Sequence, residues 1–297
     1  MTDTAEIRSD RPLTFTIPAR DVRGRAVRLD RALDEILAAH AYPPAITHLL
    51  AEALVVTALI GSLIKQDGGQ MTMQAQTAGG TVRLLVCDWR EGELRGYVDF
   101  DAERLAALGA NPSLYALFGQ GYLAITFDRT GEDGRWQGIV PLEGASLAEA
   151  CESYFAQSEQ VPTLIRVATR LDGDCCRAGG MLVQHMPDGE EGRERLAARV
   201  EDPSWDHVAV LAGSVRHEEL LDTDLPLEAL VWRLFHEEDA VRVAAGPAIV
   251  RGCRCTAAHY EQIIRRFPAS EQAEMRDANG QIVVDCAFCS RQFCLAL

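Results

Sequence analysis

Two close pairs of cysteines frame the stretch that decides how this chain folds, residues 252–290, GCRCTAAHYEQIIRRFPASEQAEMRDANGQIVVDCAFCS. One residue separates the first two cysteines, two residues separate the second two, and thirty residues lie between the pairs. This spacing is a strong metal-binding signal in a chain that is not expected to form disulfides. Zinc favours such a closed tetrahedral site of four thiolates, with Zn–S distances of about 2.3 Å. We therefore predict one zinc ion, held by Cys253, Cys255, Cys286 and Cys289 in a site that is structural or redox-responsive and not hydrolytic.

The residues between the pairs supply little core. Apolar spacing predicts helices over 257–267 and 270–275, and a strand over 281–284 follows a turn at Asn279-Gly280. A unit of this size cannot bury enough apolar surface to fold alone, and zinc would contribute on the order of 10 kcal/mol. The alternative is that the four cysteines are isolated buried thiols that pack as small hydrophobes. Chance rarely places two such pairs around one small unit.

The remaining cysteines carry no comparable spacing. Cys294 lies outside both pairs, and we expect a free thiol there. Cys175 and Cys176 fall in a predicted hairpin turn and are expected to be exposed thiols. The first fifteen residues contain no apolar signal-peptide core, so we expect a cytoplasmic protein. In that reducing compartment nine cysteines do not imply a disulfide framework.

Composition argues against nucleic acids, nucleotides and membranes as partners. The net charge of −15 repels phosphate backbones, so nucleic-acid binding is not expected. Lys65 is the only lysine, and no phosphate-binding loop can be drawn around it, so no nucleotide site is expected. The apolar stretch 49–64 is short and is interrupted by Glu52 and Thr57. It predicts a buried core helix and no membrane span.

The region before the cysteine unit divides in two by charge. Residues 190–239 carry 5 basic and 14 acidic residues, a net charge of −9 within fifty positions, whereas 246–297 carry a net charge of +1. We therefore predict three parts: a core domain over 1–189, an acidic helical linker over 190–245, and a zinc-binding domain over 246–297.

The first part is predicted to be α+β, with an antiparallel-sheet core. Helical spacing covers 29–39, 44–64 and 146–157. Strand-like segments separated by Gly-rich or Asp-rich turns follow Gly68-Gly69. The predicted strands are 71–76, 81–87, 94–100, 122–127, 135–140, 163–171 and 180–186. Strands that occur in runs, without βαβ alternation, argue against a doubly wound sheet.

The acidic linker is predicted to contain three helices, over 190–201, 208–220 and 226–237. Few apolar residues per segment and like charges at helical spacing predict marginal stability. Unfolding of this region would expose the apolar side chains of Leu230, Trp232, Leu234 and Phe235.

Enzyme signatures are missing from the sequence. Neither His217-Glu218 nor His236-Glu237 completes the H-E-x-x-H motif of zinc proteases, and no G-x-S-x-G nucleophile motif occurs. A zinc deaminase would need P-C-x-x-C, but Asp285 precedes Cys286. A thiol-disulfide oxidoreductase stays open as an alternative, because a C-x-x-C pair can cycle, although the thioredoxin-like βαβ context is absent. We expect a protein that is not an enzyme.

The motifs together resemble the redox-regulated 33 kDa heat-shock chaperone family (heat shock protein 33). Besides the four cysteines, further segments resemble those of the family and occur in the same order, from about residue 13 to 293. These segments are 121–126, 136–140 with 142–144, 154–155 with 158–163, 179–184 and 232–238. Ser290 departs from the family pattern, which has glycine after the second pair, and Cys294 is an extra thiol.

The resemblance implies a holdase that works without ATP, inactive when reduced and zinc-bound. It also implies that residues 1–189 bind clients, that the linker over 190–245 is metastable, and that residues 246–297 act as a redox switch. Oxidation would activate the protein through zinc release and unfolding of the last two parts. The clients would be unfolded or partly unfolded proteins, and the oxidised form would be a homodimer. Because members of each pair are close in sequence, we predict Cys253–Cys255 and Cys286–Cys289 disulfides, the connectivity that the family implies. The alternative to a redox-regulated chaperone is a zinc-ribbon adaptor, whose metal would stay in place under oxidation.

Overall fold

The chain folds as helices and mainly antiparallel sheets over the residues that the computed structural model describes, which are 9–64, 68–128, 134–173, 175–186 and 203–296. The strands in these ranges are β1 (Leu13–Ile17), β2 (Val22–Leu29), β3 (Gln70–Gln76), β4 (Val82–Arg90), β5 (Glu93–Phe100), β6 (Tyr122–Asp128), β7 (Arg135–Pro141), β8 (Thr163–Asp172), β9 (Cys175–His185), β10 (Arg242–Ala245), β11 (Val250–Arg251), β12 (Ile282–Asp285) and β13 (Gln292–Leu295). The α-helices are α1 (Arg31–Leu37), α2 (Pro44–Gly61), α3 (Ala102–Ala107), α4 (Leu114–Phe118), α5 (Leu147–Tyr154), α6 (Pro203–Gly213), α7 (His217–Leu221), α8 (Leu227–Phe235), α9 (Ala257–Ile264) and α10 (Ala269–Glu274).

The strands form two large sheets and one hairpin. The six-stranded sheet has the order β11-β5-β4-β3-β6-β7 and is antiparallel except that β11 runs parallel to β5. The five-stranded sheet has the order β10-β1-β2-β9-β8 and is antiparallel throughout. Strands β12 and β13 form the hairpin that carries the second cysteine pair. The predicted α+β class with an antiparallel-sheet core is confirmed.

Helix α2 fills the space between the two large sheets. It contacts β8 and β9 on one side and β3, β4 and β5 on the other, and Leu50, Leu54 and Leu59 are fully buried there. Gly180 of β9 permits this close approach, because a Cβ atom there would lie 2.7 Å from the side chain of Val55. Among the described helices, α2 alone is long and apolar enough to cross a membrane, but 72% of it is buried inside the protein. It is the core helix that the sequence predicts.

Helices α6, α7 and α8 pack on the face of the five-stranded sheet that points away from α2. Their side chains form one apolar cluster with the sheet, in which Val208, Leu230 and Phe235 lie with Phe15 and Val183. The rings of Phe15 and Phe235 are 5.8 Å apart. Each of these three helices contains few apolar residues, but together the helices cover one apolar surface of the five-stranded sheet.

Two arginines of the first part hold these helices in place. The buried guanidinium of Arg28 donates hydrogen bonds to the main-chain carbonyls of Glu219, Leu220 and Leu225, at 2.8, 2.7 and 2.5 Å. Arg20 pairs with the buried carboxylate of Glu238 at 3.0 Å. The linker helices are therefore attached to β2 and to the β1–β2 turn by polar contacts as well as by the apolar cluster.

Residues 242–251 form a strap that crosses from one large sheet to the other. Strand β10 pairs with β1 at the edge of the five-stranded sheet, and β11 pairs with β5 at the edge of the six-stranded sheet. Between them the N–H of Ile249 donates to the carbonyl of Asp10 at 2.7 Å, and the Ile249 side chain is buried. The cysteine unit therefore begins from a segment hydrogen-bonded to both sheets.

Several elements differ from the sequence prediction. Strands β1 and β2 were not predicted, and β9 begins at Cys175, five residues before the predicted strand. The predicted helix 208–220 is two helices, α6 and α7, separated after Gly213. The predicted helix 190–201 lies outside the described residues. Trp232 is already 64% exposed in the folded protein, so the expectation that unfolding would uncover it is wrong.

Candidate metal centre

The first cysteine pair follows the strap directly. The N–H of Gly252 donates to the carbonyl of Leu94 at 2.9 Å, which continues the pairing of β11 with β5. A Cβ atom at position 252 would lie 2.3 Å from the side chain of Glu93, so the approach requires glycine. Cys253 and Cys255 come next, and the Thr256 side chain then caps α9 by accepting from the N–H of His259 at 3.1 Å. The sheet edge and the helix cap thereby fix both ends of the loop.

The second cysteine pair forms the tight turn between β12 and β13. The N–H of Cys286 donates to the carbonyl of Arg291 at 2.9 Å, and the N–H of Ser290 donates to the carbonyl of Cys286 at 2.8 Å. Ser290 has φ = 56°, in the left-handed region that favours glycine. The glycine expected here from the resemblance would suit this backbone turn better than a residue with a side chain.

The two loops bring all four predicted ligands together. The Sγ atoms of Cys253, Cys255, Cys286 and Cys289 lie within 4.8 Å of one another. The Sγ–Sγ distances are 3.3 Å for Cys253–Cys255, 3.6 Å for Cys253–Cys286 and 3.4 Å for Cys255–Cys289. All four are free thiols.

This arrangement fits a tetrahedral zinc ion. With Zn–S bonds of about 2.3 Å, the corners of a tetrahedron are about 3.8 Å apart, close to the sulfur separations in the cluster. Four protein thiolates fill the coordination shell, so the site leaves no position for a reacting water or substrate. The arrangement therefore suits a metal that holds structure, and does not suit hydrolytic chemistry.

The cluster is electrostatically uneven. Burial raises the pKa of Cys286, but hydrogen bonds from the Tyr260 hydroxyl and the Phe288 N–H outweigh burial and bring the pKa to about 6. Burial and the neighbouring sulfurs raise the pKa of Cys255, and burial raises that of Cys253. Because metals bind the thiolate form of cysteine, a cation that binds all four sulfurs would displace protons from the cluster.

A family model described as Hsp33 protein matches residues 10–295. The chain belongs to the Hsp33 family. The resemblance inferred from the cysteine spacing and the five similar segments is thereby confirmed.

Relatives of this Hsp33 chain match it along almost their whole length. The 33 kDa chaperonin of Caulobacter vibrioides is 39% identical, and the match covers 98% of this chain and 97% of the relative. The 33 kDa chaperonin of Pseudomonas aeruginosa strain PAO1 is 34% identical, over 96% of this chain and 91% of the relative. These relatives are named as chaperonins and not as enzymes.

A solved structure shares the Hsp33 fold. It is the crystal structure of the 33 kDa chaperonin of Thermotoga maritima, with a TM-score of 0.77 and 22% sequence identity. The match covers 97% of this chain and 95% of that chain. The arrangement of helices and antiparallel sheets is therefore one that has been observed by experiment.

The other cysteines of this Hsp33 chain lie apart from the cluster. Cys294 is exposed on β13, and Cys87 and Cys151 are buried in the core. The expectation of two exposed thiols at 175–176 is wrong for one of them: Cys175 is exposed, whereas Cys176 is buried and its pKa is raised by burial to about 11. Both residues belong to β9, where successive side chains point to opposite faces of the sheet.

Proposed function

We propose that this protein is a redox-regulated chaperone of the cytoplasm that binds unfolding proteins without ATP and is inactive when reduced and zinc-bound. A chaperone function follows from the family. The observation that carries the redox part is the cluster of four thiols within 4.8 Å, placed in a unit with almost no core of its own.

The small core of the cysteine unit makes its fold dependent on the cluster. Helices α9 and α10 contribute no buried residue, and the buried side chains of the described part beyond residue 252 are Ile282, Cys286 and Leu295. A metal held by four thiolates stabilises such a unit by on the order of 10 kcal/mol. Loss of the four ligands would therefore unfold it.

Oxidation removes the ligands. Each pair of thiols gives up two electrons and two protons to a peroxide and forms one S–S bond. When the oxidant is hydrogen peroxide, it is reduced to two waters. In the folded cluster Cys255 is as near to Cys289 (3.4 Å) as to Cys253 (3.3 Å), so proximity does not select the pairing there. Once the unit opens, only residues adjacent in sequence stay close. This supports the Cys253–Cys255 and Cys286–Cys289 pairing that the sequence predicts.

Unfolding of the cysteine unit would then affect the linker helices. The strap joins α8 to the first cysteine pair, so α6–α8 lose a fixed neighbour when the unit opens. Their departure would expose the apolar side chains of the sheet beneath them, including Phe15 and Val183. Exposed surface of this kind binds partly unfolded clients without sequence preference and also favours pairing of two oxidised chains.

The alternative functions receive less support. Cys286 and Cys289 lie in a turn between two strands, whereas a thiol-disulfide oxidoreductase of the thioredoxin type presents this pair at the start of a helix. A zinc-ribbon adaptor would keep its metal under oxidation. Zinc content after hypochlorite treatment therefore separates the adaptor from the redox switch.

Thermal aggregation of citrate synthase tests the proposal. We expect the peroxide-oxidised protein to suppress light scattering near equimolar ratio, the reduced zinc-loaded protein to leave it unchanged, and added ATP to have no effect. Reduction with dithiothreitol in the presence of zinc should abolish this suppression of light scattering. A protein that suppresses aggregation equally in both states, or in neither, would refute redox regulation.

A further inference from the structure

The residues between the ligands of each cysteine pair face the outer surface of the six-stranded sheet. Arg254, between Cys253 and Cys255, donates to the Gln70 side chain at 3.3 Å and lies 3.6 Å from the carboxylate of Asp88. Both partners are on strands of the core and not in the cysteine unit. The first loop therefore contributes its sulfurs to the cysteine cluster and its arginine to the sheet.

Asp88 is a buried carboxylate with partners on both sides of this contact. Its side chain is only 5% exposed, accepts a 2.7 Å hydrogen bond from Thr72, and pairs with Arg95 of the neighbouring strand β5. One carboxylate thus balances an arginine of the core and an arginine of the cysteine unit. If the unit moved away, Asp88 would lose one of its two cationic partners.

The second loop makes a matching aromatic contact. Phe288, between Cys286 and Cys289, packs edge-to-face on Tyr97, with ring centroids 4.9 Å apart. The guanidinium carbon of Arg95 lies 4.0 Å from the centroid of the Phe288 ring, in a cation–π arrangement. Arg95 and Tyr97 occupy alternate positions of β5 and so share one face of the sheet. The sheet residue that pairs with Asp88 therefore also holds Phe288.

We infer that five residues form a latch that couples the geometry of the cysteine cluster to the docking of the cysteine unit on the sheet. The latch consists of Asp88, Arg95 and Tyr97 on the sheet and Arg254 and Phe288 on the cysteine loops. Each loop can present its latch residue only while its flanking cysteines converge on the cluster. Loss of the cluster therefore releases the latch, and an intact latch restrains the loops against opening. The latch itself does not depend on client binding; its role in activation rests on the function proposed above.

Variants of either side of the latch test the inference in the reduced, zinc-loaded full chain. Asp88→Asn removes the charge that holds Arg254, and Phe288→Ala removes the ring that fills the second contact. Asp128→Asn is the matched control, because Asp128 pairs with Arg135 at 3.5 Å elsewhere in the same sheet. Zinc content and thermal unfolding are measured first for every variant. Should Asp88→Asn fail to fold, Phe288→Ala in the loop still supplies the test.

Two rates are then compared with those of the wild type. The first is hydrogen exchange at Val250 and Gly252, whose N–H groups donate to the carbonyls of Gly92 and Leu94 in the folded protein. The second is zinc loss on peroxide treatment, followed with a chromogenic chelator. Both latch variants should retain one zinc and show roughly three- to tenfold increases in both rates, as expected for a lost cation–π contact or part-buried ion pair. The control should match the wild type.

Unchanged rates in both latch variants would overturn the inference. Because the exchange measurement uses reduced protein and no client, it is independent of chaperone activity. Faster exchange together with no aggregation suppression by the oxidised wild type would leave the latch standing and refute the proposed function.

Discussion

At the scale of single residues, the four predicted ligands act as one unit. Each thiolate supplies a quarter of a closed site, so losing one opens the shell and removes most of the binding free energy. We predict that Cys286→Ser abolishes zinc binding, whereas Cys294→Ser, which alters an exposed thiol outside the cluster, leaves one zinc per chain. Metal analysis of the two purified, reduced variants checks this. Full zinc retention by Cys286→Ser would disprove the assignment.

Ser290 lies in a strained backbone position beside the last ligand. Its φ of 56° disfavours a Cβ atom, and its hydroxyl makes only a 3.4 Å contact with His40. We predict that Ser290→Gly stabilises the zinc-loaded cysteine unit by about 0.5–1 kcal/mol, because glycine adopts this conformation without steric cost.

Chelator competition and thermal unfolding measure the effect of that change. Ser270→Gly is the control, because Ser270 lies inside α10, where the same replacement should destabilise the helix by about 0.5 kcal/mol. A loss of stability in Ser290→Gly would show that the hydroxyl contact outweighs the backbone strain.

Residue spacing predicted which four thiols lie together but not the environment of the other cysteines. The four thiols could be predicted because two short spacings around one unit suffice to define a site. Cys175 and Cys176 could not be placed, because the sequence suggested a turn there, and only the register of β9 decides which of two adjacent side chains is buried.

At the scale of elements, Arg28 connects the linker helices to the core. Its buried guanidinium donates to three carbonyls at the end of α7 and in the segment that follows. We predict that Arg28→Met destabilises α6–α8 by about 2–3 kcal/mol, because these carbonyls lose charge-assisted hydrogen bonds in a buried place. Hydrogen exchange over residues 203–235 should rise, with little change in β3–β6.

The control for that prediction is Arg83→Met. Arg83 forms an exposed ion pair with Asp99, and such pairs contribute at most about 1 kcal/mol. If Arg28→Met behaved like Arg83→Met, the attachment of the linker would not depend on the Arg28 hydrogen bonds.

Buried arginines also explain why strand β2 escaped prediction. Strand β2 has the sequence VRGRAVRL, in which Arg25 and Arg28 read as solvent-facing but are buried. Their guanidinium N–H groups donate to main-chain carbonyls of distant segments, such as that of Ser62 for Arg25. No local sequence pattern predicts such partners. Strands with ordinary alternation, such as β3 and β5, were predicted within a few residues.

At the scale of the whole molecule, the strap makes the two sheets, the linker and the cysteine unit dependent on one another. It pairs with β1 and β5 and leads from α8 into the first cysteine pair. The buried side chains of the cysteine unit are few, whereas α2 and both sheets share a large core. Stability is therefore unequal along the chain, and the least self-sufficient part contains the four clustered thiols.

Sequence alone indicated this order of parts through charge and cysteine spacing. It could not show that the linker and the cysteine unit cover opposite sheets, because that depends on contacts between residues about two hundred positions apart, such as Arg28 with Leu220 and Gln70 with Arg254. The boundaries at 189 and 245 stay a prediction.

Hydrogen exchange measured by mass spectrometry tests the central claim most directly, with reduced zinc-loaded protein and peroxide-oxidised protein compared at the same temperature. We predict that oxidation removes protection from residues 190–297 and preserves it in α2 and β3–β6, while the protein stays soluble and prevents client aggregation. Protection retained over 190–297 in the oxidised protein, or lost uniformly along the chain, would contradict a switch that works by partial unfolding.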